Sequence, residues 1–194
     1  MTKEGQAKVL NDAEFKRVLL VARSGRFARR NVALIYCSFG LGLRVKEIAS
    51  LNVFDVATPD FTLLDEINLK RAMTKGEKQR SVFLAHKKVI DALNEHIQAI
   101  QPINGRRPLF HNQRHTRFTP NGLQKWFKAL FDQAGIVGAS SHSGRRTFIT
   151  RLIEQGADIK AVSRLAGHAS IQTTAIYVAD NPDRLRRLTH LAVF

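Results

Sequence analysis

Cysteine is almost missing from this 194-residue chain. Cys37 stands alone, inside the apolar run NVALIYCSFG, which excludes a disulfide within the chain and predicts a small buried hydrophobe in a reducing compartment. Long apolar runs are missing too, since none approaches the roughly 18 residues that a membrane-spanning helix requires. The opening MTKEGQAKVL lacks the apolar core of a signal peptide, so a cytoplasmic protein is expected. No repeat, low-complexity tract or linker divides the chain, which predicts one domain. Acidic residues are scarce: 16 Asp and Glu stand against 31 Lys and Arg, a formal charge of +15. An excess of that size in a folded domain points to a polyanionic partner, because clustered cations release counterions from phosphates. A solubility surface is the plainer alternative. Tyrosine is also scarce, with Tyr36 and Tyr177 the only two.

What is present predicts a mostly α domain with a small antiparallel β-sheet, an α+β fold. Asn11 followed by Glu14 forms a capping-box signature that opens a helix through DAEFKRVLLVA, and a second helix runs from about residue 27 to 39. The glycines of GLGLR suit a tight turn that delivers Arg44 to the start of a short helix, VKEIASLNV. TLLDEINL and SVFLA, joined by TKGEKQR with Gly76 at its tip, predict a β-hairpin. A helix over about 87 to 99 leads into a turn-rich basic segment, QPINGRRPLFHNQRHTRF. Thr119 and Pro120 supply an N-cap and first position for a helix whose Leu123, Trp126, Phe127 and Leu130 recur at helical spacing. Short helices are expected around 145–155, 158–166, 171–178 and 181–190.

Several polar residues suit a single chemistry. Arg44 and Glu47 share a helical face, so Glu47 could fix the guanidinium from behind, or the two form an ordinary surface ion pair. His142 and Arg145 stand at a helix start that Ser141 or Ser143 could cap, a good setting for a phosphate and equally for a plain basic surface. Lys75 lies beside Gly76 at the hairpin tip, where a flexible ammonium could protonate a leaving oxygen or simply be solvated. His168, in LAGH, and Tyr177, in TTAIYV, complete the set. Tyr177 is either a core aromatic or a nucleophile, and a phenol that attacks a phosphate needs cations around it. His111 and His115 have spacing that could hold zinc, but no cysteine pair or carboxylate accompanies them, so no metal site is expected.

GLRVKEIASL, TKGEKQRSVFL, HSGRRTF, LAGH and TTAIYV, in that order and spacing, resemble the catalytic domain of the tyrosine recombinases, the phage integrase and Xer-like family, over roughly residues 10 to 185. The resemblance implies that Arg44 and Arg145 clamp the scissile phosphate, that His142 assists proton transfer, and that Lys75 protonates the leaving 5′-oxygen. It implies that His168 hydrogen-bonds the phosphate, that Glu47 supports Arg44, and that Tyr177 is the nucleophile. The implied product is a 3′-phosphotyrosyl link with a free 5′-hydroxyl, formed without ATP or metal and with no cofactor. Two positions depart from the family pattern: Gly144 and Arg146 stand where Leu and His are usual, which predicts altered packing beneath the site.

The same resemblance implies a division into a tail, residues 1–10, a catalytic domain, 11–180, and a C-terminal helix or tail, 181–194, that packs on a neighbouring protomer or else covers its own core. No N-terminal core-binding domain is expected, which places the chain with the short members, similar in size to the fimbrial invertases. Arg106, Arg107, Arg114, Arg117 and Arg146 are expected to contact the DNA backbone. The implied partners are double-stranded recombination sites, a homotetramer on DNA that is weakly associated or monomeric without it, and an accessory DNA-bending or core-binding protein, with the whole associated with a bacterial nucleoid. A DNA-binding regulator that keeps the fold without turnover, and a strand-relaxing topoisomerase, are the alternatives.

Overall fold

A computed structural model describes residues 6–73, 79–100, 106–178, 186 and 189. The helices follow local sequence closely. α1 (Asp12–Ser24) opens on the expected capping box, with the Glu14 amide donating to Asn11 Oδ1 at 2.9 Å and the Asn11 amide donating to Glu14 Oε2 at 3.1 Å. α2 (Ala28–Phe39) is buried at every residue from Val32 to Phe39, so that stretch has no solvent face and reads as a continuous apolar run. It touches α1 as well as α3 (Val45–Ser50), α4 (Lys87–Ile100) and α6 (Ser143–Glu154). Cys37 lies within it, fully buried, and burial pushes its thiol up to about 12.

The sheet is a single antiparallel pair, β1 (Glu66–Leu69) with β2 (Arg80–Phe83), in register Leu69 opposite Arg80. Both strands are shorter than expected. Leu63 and Leu64 leave the hairpin and pair back on Val56 and Ala57, burying those two against the core instead. α3 likewise stops at Ser50, because the chain turns at Asn52, where the Asp55 carboxylate accepts the Asn52 amide at 2.8 Å. α5 (Pro120–Gln133) begins on the Thr119 cap as its sequence demands, and buries Leu123, Phe127, Leu130 and Phe131 while Trp126 is half-buried.

α7 (Ile159–Ala166) and α8 (Ile171–Ala175) pack with α6 around a smaller core of Ile149, Ile153, Val162 and Ala166. The short helix expected over 171–178 ends at Ala175, which leaves Tyr177 in the turn beyond it. Residues 6–10, expected to be a tail, lie against the domain: the Lys8 amide donates to the Gly138 carbonyl at 3.0 Å and the Leu10 amide to Thr147 Oγ1 at 3.0 Å. Of the helix expected over 181–190 only Arg186 and Thr189 are described, and the tip of the hairpin, with Lys75, falls outside the described residues. Among the described residues, no helix is long and apolar enough to cross a membrane.

Candidate active site

The site is organised by the end of α7. Gly167 adopts φ +62°, a left-handed conformation that glycine reaches without strain, so the helix closes with the Gly167 amide on the Arg164 carbonyl and the His168 amide on the Ser163 carbonyl. The last carbonyls of a helix lack partners in the helix itself. Here Leu165, Ala166 and Gly167 give theirs to three different arginines. Arg80 Nη1 donates to the Leu165 carbonyl at 2.6 Å, Arg145 Nη2 to that of Ala166, and Arg44 Nη2 to that of Gly167 at 2.9 Å. The negative end of the helix dipole favours that convergence of cations.

Arg44 arrives from the GLGLR turn. Gly42 takes φ +62° and presses so closely on Phe148 of α6 that a Cβ would lie 2.9 Å from the ring Cε1. The Gly42 carbonyl then accepts Arg145 Nη1 at 2.8 Å. Glu47 fixes Arg44 twice, with Oε1 at 2.9 Å from Nη1 and Oε2 accepting the Arg44 amide at 2.7 Å. The plain surface-pair alternative is thereby excluded, since Glu47 is 0% exposed while the Arg44 side chain keeps 22% of its surface open. Arg145 is almost wholly enclosed; burial first, and the Arg44 and Arg80 charges next, pull it down to about 9, still protonated at neutral pH.

His142 sits at the N-terminus of α6 as its capping residue, without a side-chain cap. The expected serine cap is absent because Ser143 Oγ turns back to accept the Ser140 amide at 3.0 Å. His142, Arg145, Arg146 and Tyr177 line one open pocket of about 330 Å³, with Gln6 and Ala7 forming part of its wall. Arg146 Nη1 holds the Ala7 carbonyl at 2.6 Å, so the residue expected to touch DNA ties the N-terminal segment to the pocket.

His168 Nδ1 lies 2.8 Å from Oγ1 of the buried Thr174, and its ring stacks on Tyr177 with centroids 6.2 Å apart and planes 17° from parallel. Burial, followed by repulsion from Arg145, Arg44 and Arg80, pulls His168 down to about 4. The imidazole is therefore neutral at pH 7. Tyr177 is half-buried against the smaller core, and no hydrogen bond of its hydroxyl to a described residue is present. A neutral hydrogen-bonding imidazole, a phenol and converging guanidinium groups can receive a phosphodiester and neutralise charge on its oxygens during attack.

Five of the expected residues thus come together: Arg44, His142, Arg145, His168 and Tyr177, with Glu47 behind Arg44. Lys75 lies outside the described residues. In the basic segment, Arg106, Arg107, Arg114 and Arg117 are all exposed, but the Arg117 guanidinium is engaged within the domain, donating to the carbonyls of Ala49 at 3.0 Å and Leu51 at 3.3 Å and to Asn52 Oδ1 at 2.6 Å. Among the described residues, no three His, Cys, Asp or Glu side chains cluster as metal ligands would. Sequence reasoning passed over Arg80 and Thr174. Thr174 could have been found from its place one helical turn before Tyr177; nothing in the spacing of Arg80 signals its role.

Comparison with known proteins shows the family and the fold. The family model described as the phage integrase family matches residues 8–184. The tyrosine recombinase XerD of Oceanobacillus iheyensis is 32% identical over 185 residues, covering 92% of this chain and 59% of that protein. The crystal structure of XerA recombinase superimposes with a TM-score of 0.74 at 28% identity, over 99% of this chain and 66% of that one. XerH site-specific recombinase, solved on its difH substrate before cleavage, gives 0.70 at 26% identity, over 97% of this chain and 55% of that one. The chain therefore spans little more than half to two thirds of these relatives.

Proposed function

The chain belongs to the phage integrase family, and on that basis we propose that it is a site-specific tyrosine recombinase that cuts and rejoins DNA through a covalent 3′-phosphotyrosine. The observation that carries this reading is the convergence of Arg44, Arg145 and His168 at the end of α7, with Tyr177 stacked beside them. Arg44 and Arg145 take the nonbridging oxygens of the scissile phosphate, whose charge grows in the transition state. Tyr177 Oη forms the new bond to phosphorus as the bond to the 5′-oxygen breaks. His142 assists removal of the phenolic proton, and Lys75 returns a proton to the departing 5′-oxygen. In the tautomer in which the Thr174 hydroxyl donates to Nδ1, the neutral His168 carries its proton on Nε2 and offers it as a hydrogen bond to a phosphate oxygen. The phosphotyrosyl link keeps the energy of the diester, so attack by a 5′-hydroxyl rejoins the strand with no nucleotide consumed.

Double-stranded recombination sites are the proposed substrate, consistent with the charge of +15 and with the solved DNA complex of XerH. Residues 11–180 form the catalytic unit, and four protomers act together on two sites. Residues 181–194 pack on a neighbouring protomer, while a further DNA-gripping segment or an accessory partner completes the hold on DNA. The working compartment is the cytoplasm, at the nucleoid. The test is covalent capture: labelled, nicked DNA from the flanks of the gene's own element, incubated with the wild type and with Tyr177→Phe and run on a denaturing SDS gel. A protease-sensitive shifted band with the wild type alone is expected. Its absence from the wild type, with DNA still bound, would favour a regulator that retains only the fold.

A further inference from the structure

Arg80 is the first residue of β2, its side chain is 8% exposed, and nothing in the proposed chemistry uses it. Its surroundings are costly. The Nε proton is buried with no acceptor among the described residues, and burial lowers the guanidinium's pKa despite the attraction of Glu47. The stem presses on Gly167 so closely that a Cβ there would lie 2.7 Å from Nε, overlapping Cδ as well. An apolar side chain of similar volume would fill the space at lower cost, since a buried ion pair often stabilises less than hydrophobic packing does. What such a side chain could not supply is the pair of directed bonds that Arg80 makes.

Those bonds join three elements. Arg80 Nη2 reaches Glu47 Oε2 at 2.7 Å and Nη1 reaches the Leu165 carbonyl at 2.6 Å, so one planar group spans β2, α3 and the end of α7. Glu47 is consequently shared: Oε1 serves the Arg44 guanidinium, while Oε2 serves the Arg44 amide and Arg80. Both oxygens are directed and the carboxylate cannot rotate, which fixes the plane of Arg44. The same guanidinium pins the carbonyl two residues before Gly167, and His168 follows directly.

We infer that Arg80 is a positioning residue of this site, locking Glu47, and through it Arg44, onto the end of α7 while seating β2 against them. The inference rests on the recombinase reading. Arg80 itself does not reach substrate; its effect is on how Arg44 and His168 are aimed.

The experiment compares wild type, Arg80→Ala, Arg80→Lys and Tyr177→Phe for DNA affinity, melting temperature and single-turnover formation of the covalent adduct on nicked DNA. For Arg80→Ala the adduct rate should fall about 10- to 100-fold, as misaimed catalytic groups generally cause, while DNA affinity changes by less than about threefold. Guanidinium chloride should restore much of that rate, whereas sodium chloride at equal ionic strength should not, because only guanidinium refills the cavity with the same donors. Arg80→Lys, whose single ammonium cannot span Glu47 and Leu165 together, should fold and remain slow. If Arg80→Ala does not fold, the lysine variant decides alone: a wild-type rate overturns the inference and a slow rate with intact binding upholds it. Failure of both to fold would assign Arg80 to structure only and also overturn it. A wild type that yields no Tyr177-dependent adduct defeats the recombinase reading itself, whereas a fast adduct in either Arg80 variant defeats only this inference.

Discussion

Gly144 on α6 lies against Ser38 on α2 so tightly that a Cβ on the glycine would run into Ser38 Oγ, with Ser38 Cβ 2.9 Å away and Phe39 Cδ2 2.8 Å away. Ser38 Oγ is buried and has no partner among the described residues. The helix that carries Arg145 therefore rests directly on the Ser38 and Phe39 side chains of the central helix, at a position where the family pattern usually has leucine. Gly144→Ala should destabilise the fold by about 1–3 kcal/mol through overpacking. Ser38→Gly in the same chain should recover part of that loss, and Ser38→Ala alone should be nearly neutral, because it removes an unsatisfied hydroxyl. Urea unfolding of the wild type, Gly144→Ala, Ser38→Gly, their double variant and Ser38→Ala checks this, and additive effects of Gly144→Ala and Ser38→Gly in the double would disprove the contact's importance.

Glu47 offers a stronger test of the buried network. It is fully enclosed and shared by Arg44 and Arg80, so Glu47→Gln leaves two guanidinium groups without a counter-charge. Breaking a buried pair from one side typically costs about 3–5 kcal/mol, and a midpoint shift of that size is expected in chemical denaturation. A loss below about 1 kcal/mol, the range of surface pairs, would mean that solvent reaches this carboxylate.

Thr174 should matter through His168. Thr174→Val keeps the volume and removes the hydroxyl that meets Nδ1; adduct formation should slow about tenfold, a loss of about 1.4 kcal/mol in transition-state stabilisation, and Thr174→Ser should restore it. Because His168 is held down to about 4 by burial and by the arginines, it is already neutral above pH 5. The pH profile of His168→Gln should therefore keep the wild-type shape between pH 5.5 and 8 while its rate falls, checked by single-turnover rates across that range.

Acid stability should report His96. Its ring is buried, stacked on Phe110 at 5.1 Å, and bonded through Nε2 to the Leu109 carbonyl at 2.8 Å, and burial pulls its pKa down to about 4 from 6.5. The unfolded chain binds the proton more readily, so the stabilisation is complete above about pH 6.5 and is lost as pH falls toward about 4. The slope contributed is at most about 1.4 kcal/mol per pH unit. His96→Gln should flatten the urea-midpoint profile over that window, and an unchanged slope would show that His96 titrates normally in the fold.

Much of the fold was legible because local signals carried it. The Asn11 and Glu14 box, the Thr119–Pro120 start and the glycines of GLGLR each act within a few residues, and each falls where expected. The element ends were less legible. Leu63 and Leu64 read as strand, yet their partners in Val56 and Ala57 are set by packing rather than by alternation. The serine cap at 141 or 143 failed for a similar reason, since Ser143 had a nearer amide to satisfy in Ser140.

The sequence by itself determined the charge balance, the lone buried thiol, the helical course and the residue types that a phosphate chemistry needs. It could not determine how two arginines share one carboxylate while three arginines meet the end of one helix. That depends on the end of α7 reaching Arg44 from 123 positions away and Arg80 from 85, contacts that no periodicity encodes. Nor could it separate Arg145, enclosed and depressed by its neighbours, from Arg146, which holds a carbonyl of its own chain. Burial and the direction of each hydrogen bond belong to the assembled fold, because both exist only once distant segments have displaced water from the same small volume.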